Sequence, residues 1–328
     1  MRVLLTGGSG FVGSYVAEQL SALGHTVRAL VRPRSDSKLL KTLPNIEFAP
    51  GAVEDRASLD AAVREVDSVV HVAGLVKART PQEFFQVNTE GTQNLLAAAE
   101  AQKNGLKRFV YVSSLSAIGP SADGKPVPDD APPRPVTQYG QSKLAAEQAV
   151  LAAKDRIPVT VIRPPLIYGP RDRETLAFFT SVKNGVLPVL GDGRNTLSVI
   201  YGEDCAEAVV SAALSDGPSG RAYFVDDGSV YVWRDALAEV EKAMGKRAFF
   251  RLGLPMPLVQ VAAAASQLYG KVTRTAQMLT LDKVNELKQR HWVCEGSGAR
   301  RDLGWHPRTN WADGVAKTVA WYRQYGWL

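Results

Sequence analysis

Cysteine and histidine are scarce in this chain: its 328 residues hold two cysteines and four histidines. Cys205 and Cys294 are far apart and make no ligand spacing, and the histidines are scattered. Neither a disulfide framework nor a metal site is expected. So little cysteine fits a reducing compartment, and a cytoplasmic location is expected. Long apolar runs are missing too. None reaches the roughly 18 residues that read as a membrane span. The nearest, Leu254 to Leu268, is broken by Pro255, Pro257, Gln260, Ser266 and Gln267. The first apolar run stops at Thr6, so it reads as a strand and not as a signal peptide. Clustered charge is also lacking. The net charge is +6, but lysine and arginine are spread along the chain, so no nucleic acid is expected as a partner.

What is present is ordinary for a soluble globular protein: 45% apolar and 22% charged residues, in a length that suggests two domains. The start is distinctive. Val3, Leu4 and Leu5 form a short apolar run, followed by Gly7, Gly10 and Gly13 and then by an amphipathic stretch from Ser14 to Leu23. Strand, glycine turn and helix together cradle a pyrophosphate. Gly7 permits the turn, Gly10 lets the backbone approach, and Gly13 lets helix and strand pack closely. The helix N-terminus supplies free N–H groups and a partial positive charge.

Strand and helix patterns then alternate. Strands are expected at Val27–Val31, Ile46–Ala49, Ser68–Ala73, Phe109–Ser113 and Val159–Ile162. Helices are expected at Leu59–Val66, Phe84–Gln102 and Tyr139–Ala153. Alternation of this kind implies an α/β fold, a Rossmann-type doubly wound parallel sheet. The dinucleotide-binding domain is placed at 1–165, with strand and helix returns near 198–225 (Ser198–Ile200, Asp204–Ala213, Ala222–Val225). Residues 166–328 are read mainly as a smaller substrate-binding lobe with a C-terminal helix. Pro164–Pro170 and Leu187–Gly193 read as loops, and Trp233–Met244 as a helix. The rings of Trp321, Tyr322, Tyr325 and Trp327 are expected to pack the last helix, Trp311–Tyr325, onto the body. The apolar stretch Leu252 to Leu258 with Ala262–Ala265 reads first as core. Its alternatives are a wall of an apolar pocket or a patch that touches a membrane surface.

A carboxylate at the end of the second strand would favour NAD. This chain has Arg32 there, with Arg34 and Ser35 beyond it. Arginine suits a 2′-phosphate through charge-assisted bonds, so NADP(H) is favoured, and the nearby Asp36 keeps NAD(H) open. Tyr139 and Lys143 lie four apart and share a helix face. An adjacent ammonium stabilises a phenolate and lowers a tyrosine pKa. Ser113 and Ser114 end the fifth strand, where hydroxyls face the crevice.

Taken together, Thr6 to Gly13, His71 to Gly74, Asn88 to Thr92, Ser113-Ser114, Tyr139 to Lys143 and Arg163-Pro164 resemble the extended short-chain dehydrogenase/reductases. That family includes the NAD-dependent epimerase/dehydratase group. The resemblance covers nearly the whole chain. It implies that Tyr139 is the general acid/base, that Lys143 lowers its pKa and binds the nicotinamide ribose, and that Ser114 bonds the reacting oxygen. It implies that Asn88 shapes the site. Phe11, Val12, Val53, Val72, Ala73, Gly74, Pro165 and Ile167 are implied cofactor neighbours, and a homodimer is the usual assembly.

Departures sharpen the reading. Sugar-nucleotide dehydratases carry an acidic pair where this chain has Leu115 and Ser116. The position of a diphosphate-gripping arginine is Leu197, for which Arg171, Arg173 or Arg194 would have to substitute. An adenine-contacting Asp is replaced by Ala52, leaving the Val53 backbone or Asp55. Arg32 after Ala29-Leu30-Val31 resembles the dihydroflavonol-reductase and hydroxysteroid-dehydrogenase branches. The expectation is hydride transfer on a ketone or secondary alcohol of a mid-sized, fairly apolar small molecule. The alternatives are an NAD-dependent sugar or sugar-nucleotide epimerase and a non-catalytic NADP-binding regulatory protein.

Overall fold

The computed structural model describes residues 1–102, 105–190 and 192–328, less the side chains at 188, 190, 251, 252 and 254. The first half runs β1 (Arg2–Thr6), α1 (Phe11–Ala22), β2 (Thr26–Val31), β3 (Ile46–Pro50), α2 (Arg56–Ala62), β4 (Ser68–His71) and α3 (Pro81–Phe84). A π-helical segment, Phe85–Glu90, joins α3 to α4 (Gly91–Glu100). Then come β5 (Arg108–Val112), α5 (Leu115–Ile118), α6 (Gln138–Ala152) and β6 (Val159–Arg163). The second half has β7 (Leu166–Tyr168), α7 (Leu176–Lys183), β8 (Val186–Leu190), β9 (Thr196–Leu197), β10 (Val199–Tyr201), α8 (Gly202–Leu214) and β11 (Arg221–Phe224). It continues with β12 (Tyr231–Val232), α9 (Trp233–Met244), β13 (Phe250–Leu254), α10 (Met256–Thr273) and α11 (Leu281–Leu287), and ends with β14 (His291–Trp292), α12 (Ser297–Leu303) and α13 (Trp311–Gln324).

Seven parallel strands form the central sheet in the order β11-β6-β5-β4-β1-β2-β3. Successive side chains of a strand face opposite ways. In β1, Val3 and Leu5 join the core with α1 and α8, while Leu4 joins the core with α2, α4 and α6. Both faces are therefore covered, which is why the strand reads as an unbroken apolar run. Strand order reverses between β1 and β4, so the ligand crevice opens above their C-terminal ends.

The later returns join this body. α8 sets Cys205, Ala206, Ala208, Val209 and Ala212 against α1, and β11 adds the edge strand beside β6. A separate core holds the second lobe together, with Phe179, Leu237, Val240, Trp311 and Tyr322 at its centre. The expected packing of the C-terminal rings is present: Trp321 stacks on Tyr325 and Tyr322 on Trp327.

Several expectations need correcting. The helix read from Phe84 to Gln102 begins earlier, at Pro81, where Thr80 caps it by accepting from the Glu83 N–H, and its middle is π-helical. The stretch Leu187–Gly193, read as loop, contains most of β8, which pairs in parallel with β13; Gly191 lies outside the described residues. The stretch after Leu252, read first as core, is largely α10, and its outer face is exposed. Leu252 and Leu254 themselves fall among the side chains left out. Leu197, at the position of a diphosphate-gripping arginine, is part of the second lobe's core. No helix is long and apolar enough to cross a membrane among the described residues.

Candidate active site

Gly7 stands at φ +75°, in the left-handed region, and a Cβ there would come within 2.7 Å of the Ala73 nitrogen. A Cβ on Gly13 would run into the Gly7 carbonyl oxygen. The turn is closed by Gly10 N–H donating to Gly7 O at 2.9 Å. Helix α1 then starts with neither a capping side chain nor an acidic residue in its first turn. An uncapped, acid-free N-terminus behind a glycine turn suits an anion. Phe11 faces Gly202 and packs edge-on against Tyr15, and Val12 is buried.

Beside this turn, Thr6, His71 and Thr92 lock β1, β4 and α4 together. The His71 ring lies 2.6 Å from Thr6 Oγ1 and 2.9 Å from Thr92 Oγ1. Burial pulls the His71 pKa down to about 3, with the Lys143 charge adding to the effect. His71 is thus a neutral, fully bonded core residue. Thr6 Oγ1 also accepts from the Ala73 N–H at 3.2 Å, which fixes Val72, Ala73 and Gly74 at the rim of the crevice.

Asn88 lies in the π-helical segment. Its Oδ1 accepts from Leu75 N–H at 2.7 Å, and its Nδ2 donates to Leu75 O at 3.1 Å and Ser142 Oγ at 3.0 Å. Insertions of this kind recur at functional sites because they re-aim one side chain. Here the inserted turn ties the loop after β4 to α6. Gly74 is close enough that a Cβ would meet Asn88 Oδ1 at 3.1 Å and Lys143 Nζ at 3.6 Å.

Helix α6 carries the pair. Lys143 is buried, donates to Val112 O at 2.7 Å and lies 4.4 Å over the Tyr111 ring. Burial pulls its pKa down to about 7, opposed by the Glu147 carboxylate one turn on. Ser114 caps α5, accepting from Ser116 N–H at 3.1 Å, and lies close enough to the Tyr139 phenol to act on its pKa. The lowered pKa expected for Tyr139 is not found. Burial pushes it up to about 12, the nearby Ser114 hydroxyl acts against that, and Lys143 is turned toward Val112 instead. Ser113 Oγ is buried with no hydrogen-bond partner at the end of β5.

Arg32 and Arg34 are exposed and have no ion-pair partner among the described residues. Ser35 closes their turn, with Arg32 N–H donating to its hydroxyl at 3.1 Å. Val53 is buried against Gly91, and Asp55 is occupied as the cap of α2. Ile167 lies in β7, paired with Ile200, with Pro165 just before it. Of the proposed substitutes for a diphosphate-gripping arginine, Arg171 is paired to Glu18 at 2.7 Å and Arg173 sits 4.9 Å over the Trp327 ring.

Three contributors were not visible in the sequence. Phe84 packs 5.9 Å from the Tyr139 ring. Asp282 of α11 accepts from Gln138 N–H at 3.0 Å, and Glu286 of the same helix acts on Tyr139 through its charge. These contacts span large sequence separations and leave no local signal.

A dinucleotide fits these residues: the turn is shaped for a pyrophosphate, the buried Ser113 hydroxyl lacks a partner, and two free cations stand at the end of β2. Residues 3–225 match the family model described as NAD dependent epimerase/dehydratase family. The chain belongs to this family. It is an epimerase/dehydratase-family enzyme of the extended short-chain dehydrogenase/reductase type. It is similar to ceramide reductase from Caulobacter vibrioides (strain NA1000 / CB15N), 33% identical over 330 residues covering 99% of this chain and 96% of that one. It is 30% identical over 325 residues to the 4-hydroxy-2-methyl-3-oxo-4-farnesyl-3,4-dihydroquinoline-1-oxide ketoreductase of Stigmatella aurantiaca, covering 96% and 95% of the two chains. Among solved structures, dTDP-glucose 4,6-dehydratase from Streptomyces venezuelae with NAD and TYD bound aligns with a TM-score of 0.80. That alignment has 25% identity and covers 100% of this chain and 98% of that one.

Proposed function

We propose that this family member is an NADP(H)-dependent reductase of ketones, or dehydrogenase of secondary alcohols, acting on a mid-sized, fairly apolar substrate. The observation that carries the reaction is the half-buried Tyr139 phenol with Ser114 close enough to act on its pKa and Lys143 one turn away on the same helix. When bound, the nicotinamide cofactor supplies or accepts the hydride. Ser114 and Tyr139 hold the substrate oxygen, and Tyr139 gives it a proton in reduction or takes one in oxidation. Lys143 lies deep enough to meet the cofactor's ribose, and its ammonium, held by Val112 O in this structure, would favour the phenolate left on Tyr139 once turned toward it. The turn at Gly7–Gly13 and the first turn of α1 hold the pyrophosphate, with Arg32 and Arg34 taking a 2′-phosphate.

Two points support this over an epimerase or a dehydratase. Leu115 and Ser116 offer no acid to protonate a departing hydroxyl. Arg171 and Arg173 are engaged within the protein, by Glu18 and the Trp327 ring, which leaves only the exposed Arg194 of the three substitutes for a diphosphate-gripping arginine. One relative reported above is named a ceramide reductase and the other a ketoreductase of a farnesyl-bearing compound, which supports reduction of a fairly apolar substrate.

Calorimetric titration with NADPH and then NADH tests the cofactor. Tighter binding of NADPH, lost in Arg32→Ala, is expected. A preference for NADH overturns the choice and favours an NAD-dependent epimerase. For the chemistry, Tyr139→Phe is expected to lower kcat by about 10²- to 10⁴-fold with cofactor affinity kept. Unchanged turnover would remove Tyr139 from the reaction.

A further inference from the structure

Helix α10 shows one face to the protein and leaves the other bare. Val259 and Ala263 pack with Val284 of α11 in a small satellite core. On the opposite side Leu258, Val261, Leu268, Tyr269 and Val272 are 60 to 76% exposed. The spacing of Leu258, Val261, Leu268 and Val272 puts them on one stripe along the helix. Phe249 and Phe250, just upstream, are 83% and 71% exposed. Monomeric proteins seldom expose so many large apolar side chains in one segment, and such patches mark interaction sites.

Charge selects the occupant. From Gly245 to Leu281 the chain has no aspartate or glutamate, while Lys246, Arg247, Arg251, Lys271 and Arg274 all fall within it. Lys246, Arg247, Lys271 and Arg274 have no carboxylate partner among the described residues. Apolar side chains with cations and no anions suit the boundary of a bilayer that carries anionic lipid. A second copy of this chain would set the same acid-free, cationic segment against itself. Crossing the membrane is not an option, since no helix is long and apolar enough among the described residues.

We propose that the outer face of α10 docks on an anionic lipid surface, with the helix lying in the interface. The docked helix packs on α11, and α11 holds the start of α6 through Asp282 and Gln138, one residue before Tyr139. Docking therefore sets the candidate site one helix away from the lipid. The proposal does not depend on the reaction assigned above.

Sedimentation of the full chain with vesicles tests it. One set is phosphatidylcholine alone, and the other has phosphatidylglycerol added. Wild type is expected to pellet with the anionic vesicles, less so as salt rises. Val261→Glu with Leu268→Glu is expected to weaken that binding about tenfold or more, with the melting temperature unchanged because both positions are exposed. Lys271→Glu with Arg274→Glu is expected to weaken it on anionic vesicles only. Wild type staying in the supernatant overturns the proposal. Equal pelleting with neutral vesicles, or undiminished binding by the Val261→Glu/Leu268→Glu protein, also overturns it. So does a particle mass that halves in that variant without vesicles, which would assign the face to a second copy.

Discussion

At the scale of single residues, Lys143 is the most consequential group. It is buried beside Gly74 and Asn88, and burial pulls its pKa down to about 7. A depressed lysine is fully charged only well below that value and loses its proton as pH rises through it. An anionic cofactor would favour the charged form, so binding above pH 7 should draw a proton from solution. Calorimetric titrations at about pH 8, in buffers of different ionisation enthalpy, are expected to report proton uptake with NADPH. Lys143→Met should abolish it. Uptake that persists in the variant would assign the proton to another group. Tyr139 belongs to the same account: its pKa, up to about 12, leaves it a proton donor at neutral pH, which suits reduction more than oxidation.

At the scale of elements, much of the site was legible because it depends on local patterns. The glycine turn, the Tyr139/Lys143 spacing and the serines after β5 all sit within single strand-to-helix units. The π-helical segment did not show, because apolar periodicity over Phe84–Gln102 is satisfied by a regular helix and gives no sign of the extra residue that aims Asn88. The role of His71 was equally hidden. Its two ring nitrogens meet Thr6 and Thr92, 65 and 21 residues away. The pairing has a consequence for acid stability. The unfolded histidine titrates near 6.5 and the folded one about 3, so the unfolded state binds the extra proton. The stability held by neutral His71 is complete above 6.5 and is lost as pH falls toward 3, at up to about 1.4 kcal/mol per pH unit. Urea unfolding between pH 7 and 4 should show this slope in wild type and a shallower one in His71→Gln. Equal slopes would place the acid sensitivity in the carboxylates. Asp282 makes a similar long-range contribution, since it accepts from the first N–H of α6. Asp282→Ala is expected to cost about 1 kcal/mol and to lower kcat more than it changes cofactor affinity, with Asp282→Asn restoring most of both. A loss of cofactor affinity alone would show that α11 does not position Tyr139.

At the scale of the whole molecule, the chain's order and its cores disagree, and this limits what a boundary near residue 165 can mean. A sequence read in order sees strand and helix alternate up to β6 and then loosen. The folded chain leaves the sheet at β6, builds β7 at the rim, and comes back. Residues Cys205 to Ala213 of α8 cover the face of the sheet that α1 leaves open, and β11 completes the edge through backbone pairing with β6. A fragment ending at residue 165 would expose Val3, Leu5, Val110 and Ile162 on that face, all fully buried in the intact chain. At roughly 1.5–3 kcal/mol per large apolar side chain, losing the cover of these four costs about 6–12 kcal/mol, comparable with the 5–15 kcal/mol that holds a typical domain together. The fragment 1–165 is therefore expected to lack a cooperative urea transition and to bind no dinucleotide, although it carries the glycine turn, Ser114, Tyr139 and Lys143. The intact chain should unfold in a single calorimetric transition, since the returns through α8 and β11 make the sheet and the second lobe mutually dependent. A fragment 1–165 that folds and binds NADPH would show that α8 is an addition to the core and not part of it.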